Sequence, residues 1–291
     1  DLVITGGTIT VNAKNNGICG KDCVKIADGN ITIKSEGDGI KSNNSEDTSK
    51  GYIYICGGKI NITSTTDAIQ AETTLTIEKG EINLKTGGGS ENSSKTSGGK
   101  DNPQWGKWGQ EDSSTTEEDT ASAKGLKAGG DIKISNATIT TDTSDDSIHS
   151  NSNVTIESGT FNLKSGDDGI HADKQLDVND GYINVVISYE GLEAITINLN
   201  GGKIYVYATD DGINACTGDG KTSPIVNVTG GYIDVTTASG DTDGIDSNGN
   251  YVQTGGFVLV KGGSSSGNVS GSIDVDGTVT ITGGTCVALG G

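Results

Sequence analysis

Apolar positions recur along this chain in a fixed local setting. The setting is an acidic residue or Lys, a small residue, Ile or Leu, a variable residue, then Ala or Ser. It reads DGIKS at 38–42, DAIQA at 67–71, KGLKA at 124–128, DSIHS at 146–150, DGIHA at 168–172, EGLEA at 190–194, DGINA at 211–215 and DGIDS at 243–247, with a weaker first copy, NGICG, at 16–20. The apolar centres Leu126, Ile148, Ile170, Leu192 and Ile213 follow one another at steps of 22, 22, 22 and 21 residues. Two further patterns fall inside each period. One is a short apolar-polar-apolar run such as Val24-Lys25-Ile26, Leu75-Thr76-Ile77, Val154-Thr155-Ile156, Leu176-Asp177-Val178 and Val279-Thr280-Ile281. The other follows a Gly-containing turn, as in GGKINI at 57–62, SGTFNL at 158–163, GGKIYV at 201–206 and GGYIDV at 230–235. All three alternate with period two, so each predicts a strand with one buried face.

Three strands and three turns in about 22 residues describe one coil of a solenoid, and a coil must stack on others to bury its inner face. The fold class expected is therefore all-β, a right-handed parallel β-helix of about ten coils with three short strands per coil. The hand follows from the general bias of parallel crossovers. Stacking puts Ile170 between Ile148 and Leu192, about 4.8 Å from each. An array of antiparallel hairpins explains the three-strand period less well. The repeat runs through the chain, so residues 1–291 are expected to form a single domain. An irregular insertion lies at about 88–122, with smaller expansions near 43–50, 216–224 and 262–270.

Composition agrees. Gly accounts for 47 of 291 residues, while Pro, Phe and Trp number two each; this suits short strands and tight turns rather than a bulky core. The formal net charge is −19 and the chain has no Arg. That disfavours nucleic acid as a partner, because the phosphate backbone requires a cationic face. No stretch approaches the length of a membrane span, so no membrane insertion is expected. The chain starts at Asp1 and has no Met; it is expected to be a processed or trimmed product with any signal peptide outside it. Cys19, Cys23, Cys56, Cys216 and Cys286 fit no zinc spacing and read as small core residues. One disulfide among Cys19, Cys23 and Cys56 stays open for a secreted protein.

The residues before each apolar centre carry the candidate chemistry. Stacking gathers Asp145, Asp146, Asp167, Asp168, Glu190, Asp210, Asp211, Asp241 and Asp243 at one corner. Carboxylates one strand spacing apart repel. A hard cation removes the conflict, and calcium takes roughly 6–8 oxygen ligands. Asp145, Asp146, Asp167 and Asp168 make the best expected site. A second would use Asp210 and Asp211 with Glu190, and a third Asp241 and Asp243. A single Asp before Gly also has a simpler use, capping its own turn, which accounts for the doublets poorly. The variable position gives an outward polar stripe: Cys19, Lys41, Gln70, Lys127, His149, His171, Glu193, Asn214 and Asp246. Such a stripe suits an acidic polymer, with Lys127, His149 and His171 as candidate contacts, or an ordinary solvated face. A transition metal on the two His is a weaker possibility. Trp105 and Trp108, in the WGKWG segment of the insertion, offer stacking platforms for sugar rings or a cover for the flank. Tyr182, Tyr205, Tyr232 and Phe257 fall on outward positions, where they could meet sugar or one another.

The DGIxA and GGxIxV repeat, the Asp-Asp turns and the Gly/Ser/Trp insertion together resemble the clostridial cell-surface carbohydrate-binding β-helix family, over nearly the whole chain. The resemblance implies a pectate-lyase-like fold, calcium, and polysaccharide partners, namely polygalacturonate and cellulose, bound outside the cell or at its surface. It points to a non-catalytic, monomeric carbohydrate-binding protein. One alternative is a calcium-dependent polysaccharide lyase. Without Arg, its base would be Lys127 or Lys174, but neighbouring carboxylates favour the protonated ammonium. A structural surface spacer or adhesin is the other alternative.

Overall fold

A computed structural model describes residues 1–95, 122–217, 221–240, 242–263 and 271–290. The described chain is all-β, with one short 3-10 turn at Ser90–Asn92. Every strand pairing is parallel, and each strand pairs with its counterpart one repeat away. Ile148 pairs with Leu126 and Ile170, and Ile170 with Leu192. In the second pattern, Val154 lies between Ile132 and Leu176. In the third, Phe161 lies between Ile139 and Ile183. The third pattern forms an 11-stranded sheet of its own, and the other two share a 19-stranded sheet. They share it because the turn between them opens in two repeats. There, Ile170–Val178 and Leu192–Leu199 each run as one continuous strand where two were expected.

Period-two alternation sends Ile40, Ile69, Leu126, Ile148, Ile170, Leu192, Ile213 and Ile245 into the core, where all are fully buried. A column of the third pattern faces them: Ile62, Leu84, Thr141, Leu163, Val185, Val206, Val235 and Val260 in successive register. The layers approach so closely that the Gly that precedes most of the apolar centres has little room. A Cβ on Gly212 would lie 2.1 Å from Val235 Cγ1 and 2.6 Å from the Gly244 carbonyl oxygen. The Gly-Gly turns add a conformational demand. Gly231 has φ of 82°, and its backbone stacks on Gly201 and Gly202.

Outside the sheets, Asn side chains bridge repeats. Asn227 Nδ2 donates to Asn198 Oδ1 at 2.8 Å, and Asn198 Nδ2 to Asp177 Oδ1 at 2.7 Å. Tyr182, Tyr205, Tyr232 and Phe257 form a ladder with centroids 5.6, 5.7 and 5.3 Å apart, the first two contacts tilted at 44° and 45° and the last stacked. All five Cys are free thiols, so no disulfide joins Cys19, Cys23 and Cys56, and Cys23 alone of the five is buried. Among the described residues no helix is long and apolar enough to cross a membrane.

Candidate functional site

The corner before each apolar centre is a column of Asp38, Asp67, Lys124, Asp146, Asp168, Glu190, Asp211 and Asp243, brought into line by the strands that follow. Several of these carboxylates cap the next repeat rather than their own turn. Lys124 N–H donates to Asp67 Oδ1 at 2.8 Å, Asp168 N–H to Asp146 Oδ1 at 3.0 Å, and Asp243 N–H to Asp211 Oδ1 at 2.7 Å. Gly271 N–H in turn donates to Asp243 Oδ1. Asp67, Asp146, Asp211 and Asp243 therefore have a structural role of their own, each accepting a backbone N–H of the following repeat.

Asp145, Asp146 and Asp167 converge, with one ligand oxygen from each within 4.8 Å of the others. This all-oxygen set fits a calcium ion. A protein cation already stands among them: Lys124 Nζ lies 2.6 Å from both Asp145 Oδ1 and Asp146 Oδ2. Lys95 Nζ approaches Asp167 Oδ1 at 3.3 Å. Burial opposes the charge on Asp146, but the hydrogen bond to His149 and the Lys124 charge outweigh it and hold the carboxyl well below the usual range. Burial, reinforced by Asp146, pushes Asp167 up to about 6. Burial also works against the Lys124 ammonium, but Asp146 and Asp145 reverse this and raise it.

Asp168 sits in a second group. His171 Nδ1 lies 2.9 Å from Asp168 Oδ2 and 2.9 Å from Glu193 Oε2, and its Nε2 lies 3.2 Å from Asp173 Oδ1. Burial disfavours the imidazolium, yet hydrogen bonds to Asp168, Asp173 and Glu193 raise His171 far above its ordinary value. Burial likewise opposes ionisation of Glu193, but the His171 contact pulls it to about 2. Asp168 and Glu190 are raised well above the carboxylate range by burial first and by neighbouring negative charge second. Asn214 Nδ2 donates to Glu190 Oε2 at 2.9 Å. Farther down the corner, burial pushes Asp211 up to about 8, despite the Asp243 N–H, and Asp246 up to about 7 with help from Asp243.

The variable-position stripe is continuous from Cys19 to Asp246. Most of it is half-buried, and Asn214 is buried outright. His149 and His171 stack with centroids 4.7 Å apart at 18°. Lys127 Nζ meets Ser122 Oγ at 3.0 Å and Asp67 Oδ2 at 3.4 Å. Lys41 Nζ meets Asp38 Oδ2 at 2.6 Å and Gln70 Oε1 at 2.7 Å. Both ammonium groups line an open hollow of about 520 Å³, with Asp38, Asp67, Gln70 and Ser122 beside them. Among the described residues, Lys174 Nζ reaches Ser152 Oγ at 3.4 Å. Trp105, Trp108 and Asp241 lie outside the described residues, as does 96–121 of the insertion.

Three contributors are not marked out as site residues by the chain's pattern. Lys124 reads as one more copy of the repeat, and only stacking reveals it as a counter-ion. Glu193 and Asp173 read as surface residues; the register of Ile170–Val178 against Leu192–Leu199 brings Glu193 to His171, and the extended path of Ile170–Val178 puts Asp173 on the same side as His171. The Asp-x-x-His spacing of 146–149 and 168–171 is the one available clue, because it sets each imidazole over its own corner acid.

A model of the carbohydrate-binding domain-containing protein family matches residues 1–169. A protein of Acetivibrio thermocellus described as a carbohydrate-binding domain-containing protein is 48% identical over 112 residues, which is 30% of this chain and 39% of that protein. The chain thus spans well under two thirds of that relative's length. No solved structure matches the chain. With more than half of its 291 residues under the family model, the chain belongs to the carbohydrate-binding domain-containing protein family.

Proposed function

We propose that this chain is a non-catalytic, extracellular or cell-surface protein that binds acidic or plant cell-wall polysaccharide, polygalacturonate or cellulose, with the help of calcium. In this reading it winds as a single right-handed parallel β-helix of about ten coils, pectate-lyase-like in form, and works as a monomer. One observation carries the binding site: the hollow that holds Lys41 and Lys127 lies between the stripe and the acidic corner, with Asp38 and Asp67 of the corner in its lining. The two ammonium groups suit uronate carboxylates. Calcium at Asp145, Asp146 and Asp167 supplies further positive charge, bridging protein and polymer through oxygen ligands alone. Sites at Asp210, Asp211 and Glu190 and at Asp241 and Asp243 would extend the bridge along the column. Family membership supports the carbohydrate part of this reading.

The lyase alternative draws no support from its two candidate bases. Lys127 is engaged by Asp67 and Ser122, and Lys174 makes a long contact to Ser152. Affinity electrophoresis in gels containing polygalacturonate, with calcium and with chelator, tests the proposal while ultraviolet absorbance follows unsaturated product. Calcium-dependent retardation, no product, and loss of retardation in the Lys41→Ala/Lys127→Ala double variant are expected. Equal retardation in chelator overturns the role of calcium. Product formation overturns the non-catalytic reading, and no retardation at all favours a structural spacer.

A further inference from the structure

We infer that Asp168, His171 and Glu193 form a binding site for one divalent transition-metal ion of the zinc type, distinct in chemistry from the all-oxygen corner. The geometry at His171 Nδ1 is the first ground. This nitrogen lies 2.9 Å from Asp168 Oδ2 and 2.9 Å from Glu193 Oε2. A ring nitrogen carries at most one proton, so one N–H is divided between two ionisable acceptors. An ion placed among the three atoms would serve each of them fully. Ligand bonds of about 2.0–2.1 Å in a tetrahedral zinc site put neighbouring donors roughly 3.3 Å apart. The three side chains need to part by only a few tenths of an ångström.

The surroundings supply independent grounds. His171 Nε2 faces Asp173 Oδ1 at 3.2 Å. A metal-bound imidazole characteristically gives its second N–H to a carboxylate, which fixes its tautomer and ring direction. The His149 ring, stacked 4.7 Å away, holds the plane of His171 from the other side. Asn214 pairs in register with Glu193, donates its amide to Glu190, and keeps Oδ1 buried without a partner. Asn214 is 7% exposed, so that oxygen lacks the solvent that ordinarily satisfies it. It is an orphan acceptor on the residue that neighbours Glu193, and a cation bound at the cluster would complement it. Cys216 Sγ stands 3.3 Å from Glu193 Oε1, leaving thiolate or water to complete the coordination sphere. Nitrogen with nearby sulfur selects a borderline metal over calcium.

Cobalt(II) chloride is the probe. The full chain is stripped with chelator, returned to excess calcium so that oxygen sites are filled, and titrated while the visible spectrum is recorded. One cobalt per chain is expected, with the intense visible bands of a four-coordinate site, displaced by one equivalent of zinc and unmoved by calcium. His171→Gln and Glu193→Gln should each weaken binding at least tenfold and abolish the bands. Asp173→Asn should weaken binding about 10–100-fold and leave the band position in place, while Asp145→Asn should change neither. Circular dichroism checks that each variant is folded. Should His171→Gln fail to fold, the isosteric Glu193→Gln carries the comparison, and the wild-type titration needs no variant. Absence of the bands in wild-type protein, displacement of cobalt by calcium, or wild-type binding in folded Glu193→Gln overturns the assignment.

Discussion

Lys124 stands where most repeats place a carboxylate, and its ammonium touches Asp145 and Asp146 at 2.6 Å each. The Asp doublets are plain in the sequence, and so is the electrostatic conflict that stacking creates. The resident cation is not, because counting Lys as a tolerated variant of the motif conceals its charge. Its side chain is only 14% exposed, so removing it takes the ammonium counter-ion from two adjacent carboxylates in a largely buried place. Loss of one partner from a buried ion pair typically costs about 3–5 kcal/mol. Lys124→Ala should therefore destabilise the chelator-treated protein by that order in urea denaturation. Calcium should restore more stability to the variant than to the wild type, because the ion no longer competes with an ammonium. Equal restoration in the two proteins would mean that calcium does not enter between Asp145 and Asp146.

At the scale of strands and turns, the small residue beside each apolar centre is set by what faces it. Gly212 meets Val235, and Gly191 meets Val206. Ser147, in contrast, stands at the equivalent position with its hydroxyl 2.7 Å from that of Thr141, which lies between Leu84 and Leu163 in the facing column. Gly212→Ala should cost about 1–3 kcal/mol by overpacking, read as a lower urea midpoint with an unchanged slope. A Val235→Ala background, which opens the space in front of the new methyl, should shrink that cost; an undiminished cost would place the conflict at the Gly244 carbonyl instead. Strand positions and parallel pairing were legible in the chain because alternation and a 22-residue period leave few other ways to bury Ile148, Ile170 and Leu192 together. The fusion of two strands into Ile170–Val178 was not, because Asp173 and Lys174 look like turn residues, and the chain runs on through them at the point where the register against Leu192–Leu199 shifts.

Taken whole, the molecule concentrates buried acid along one edge, and its stability should follow pH accordingly. Asp167, Asp246 and Asp211 titrate at about 6, 7 and 8 in the folded chain, against about 3.9 when unfolded. Between these values the folded state holds protons that the unfolded state has released, so stability falls as pH rises. His171 acts in the same direction above about 6.5, since its raised folded value also favours the protonated native state. Glu193, pulled to about 2, opposes this only in more acidic solution, where its contribution is lost as pH drops through its folded value. Metal-free protein should thus melt at a higher temperature at pH 5 than at pH 8, and saturating calcium should narrow or reverse that order. A melting temperature that climbs from pH 5 to pH 8 without metal would contradict the burial of these three acids. The net charge of −19 announces an acidic molecule, but which acids lose their water depends on the corner geometry, and composition carries no trace of it.

The aromatic ladder on the opposite sheet has an optical consequence. Four rings held 5.3–5.7 Å apart are close enough for their electronic transitions to couple, so the folded chain should show a near-ultraviolet circular dichroism stronger than that of isolated tyrosines. Any one-residue slip of these strands would turn a ring inward and break the series. The molecule thus carries a built-in gauge of its own register, readable without a label while polymer or metal is added at the far edge.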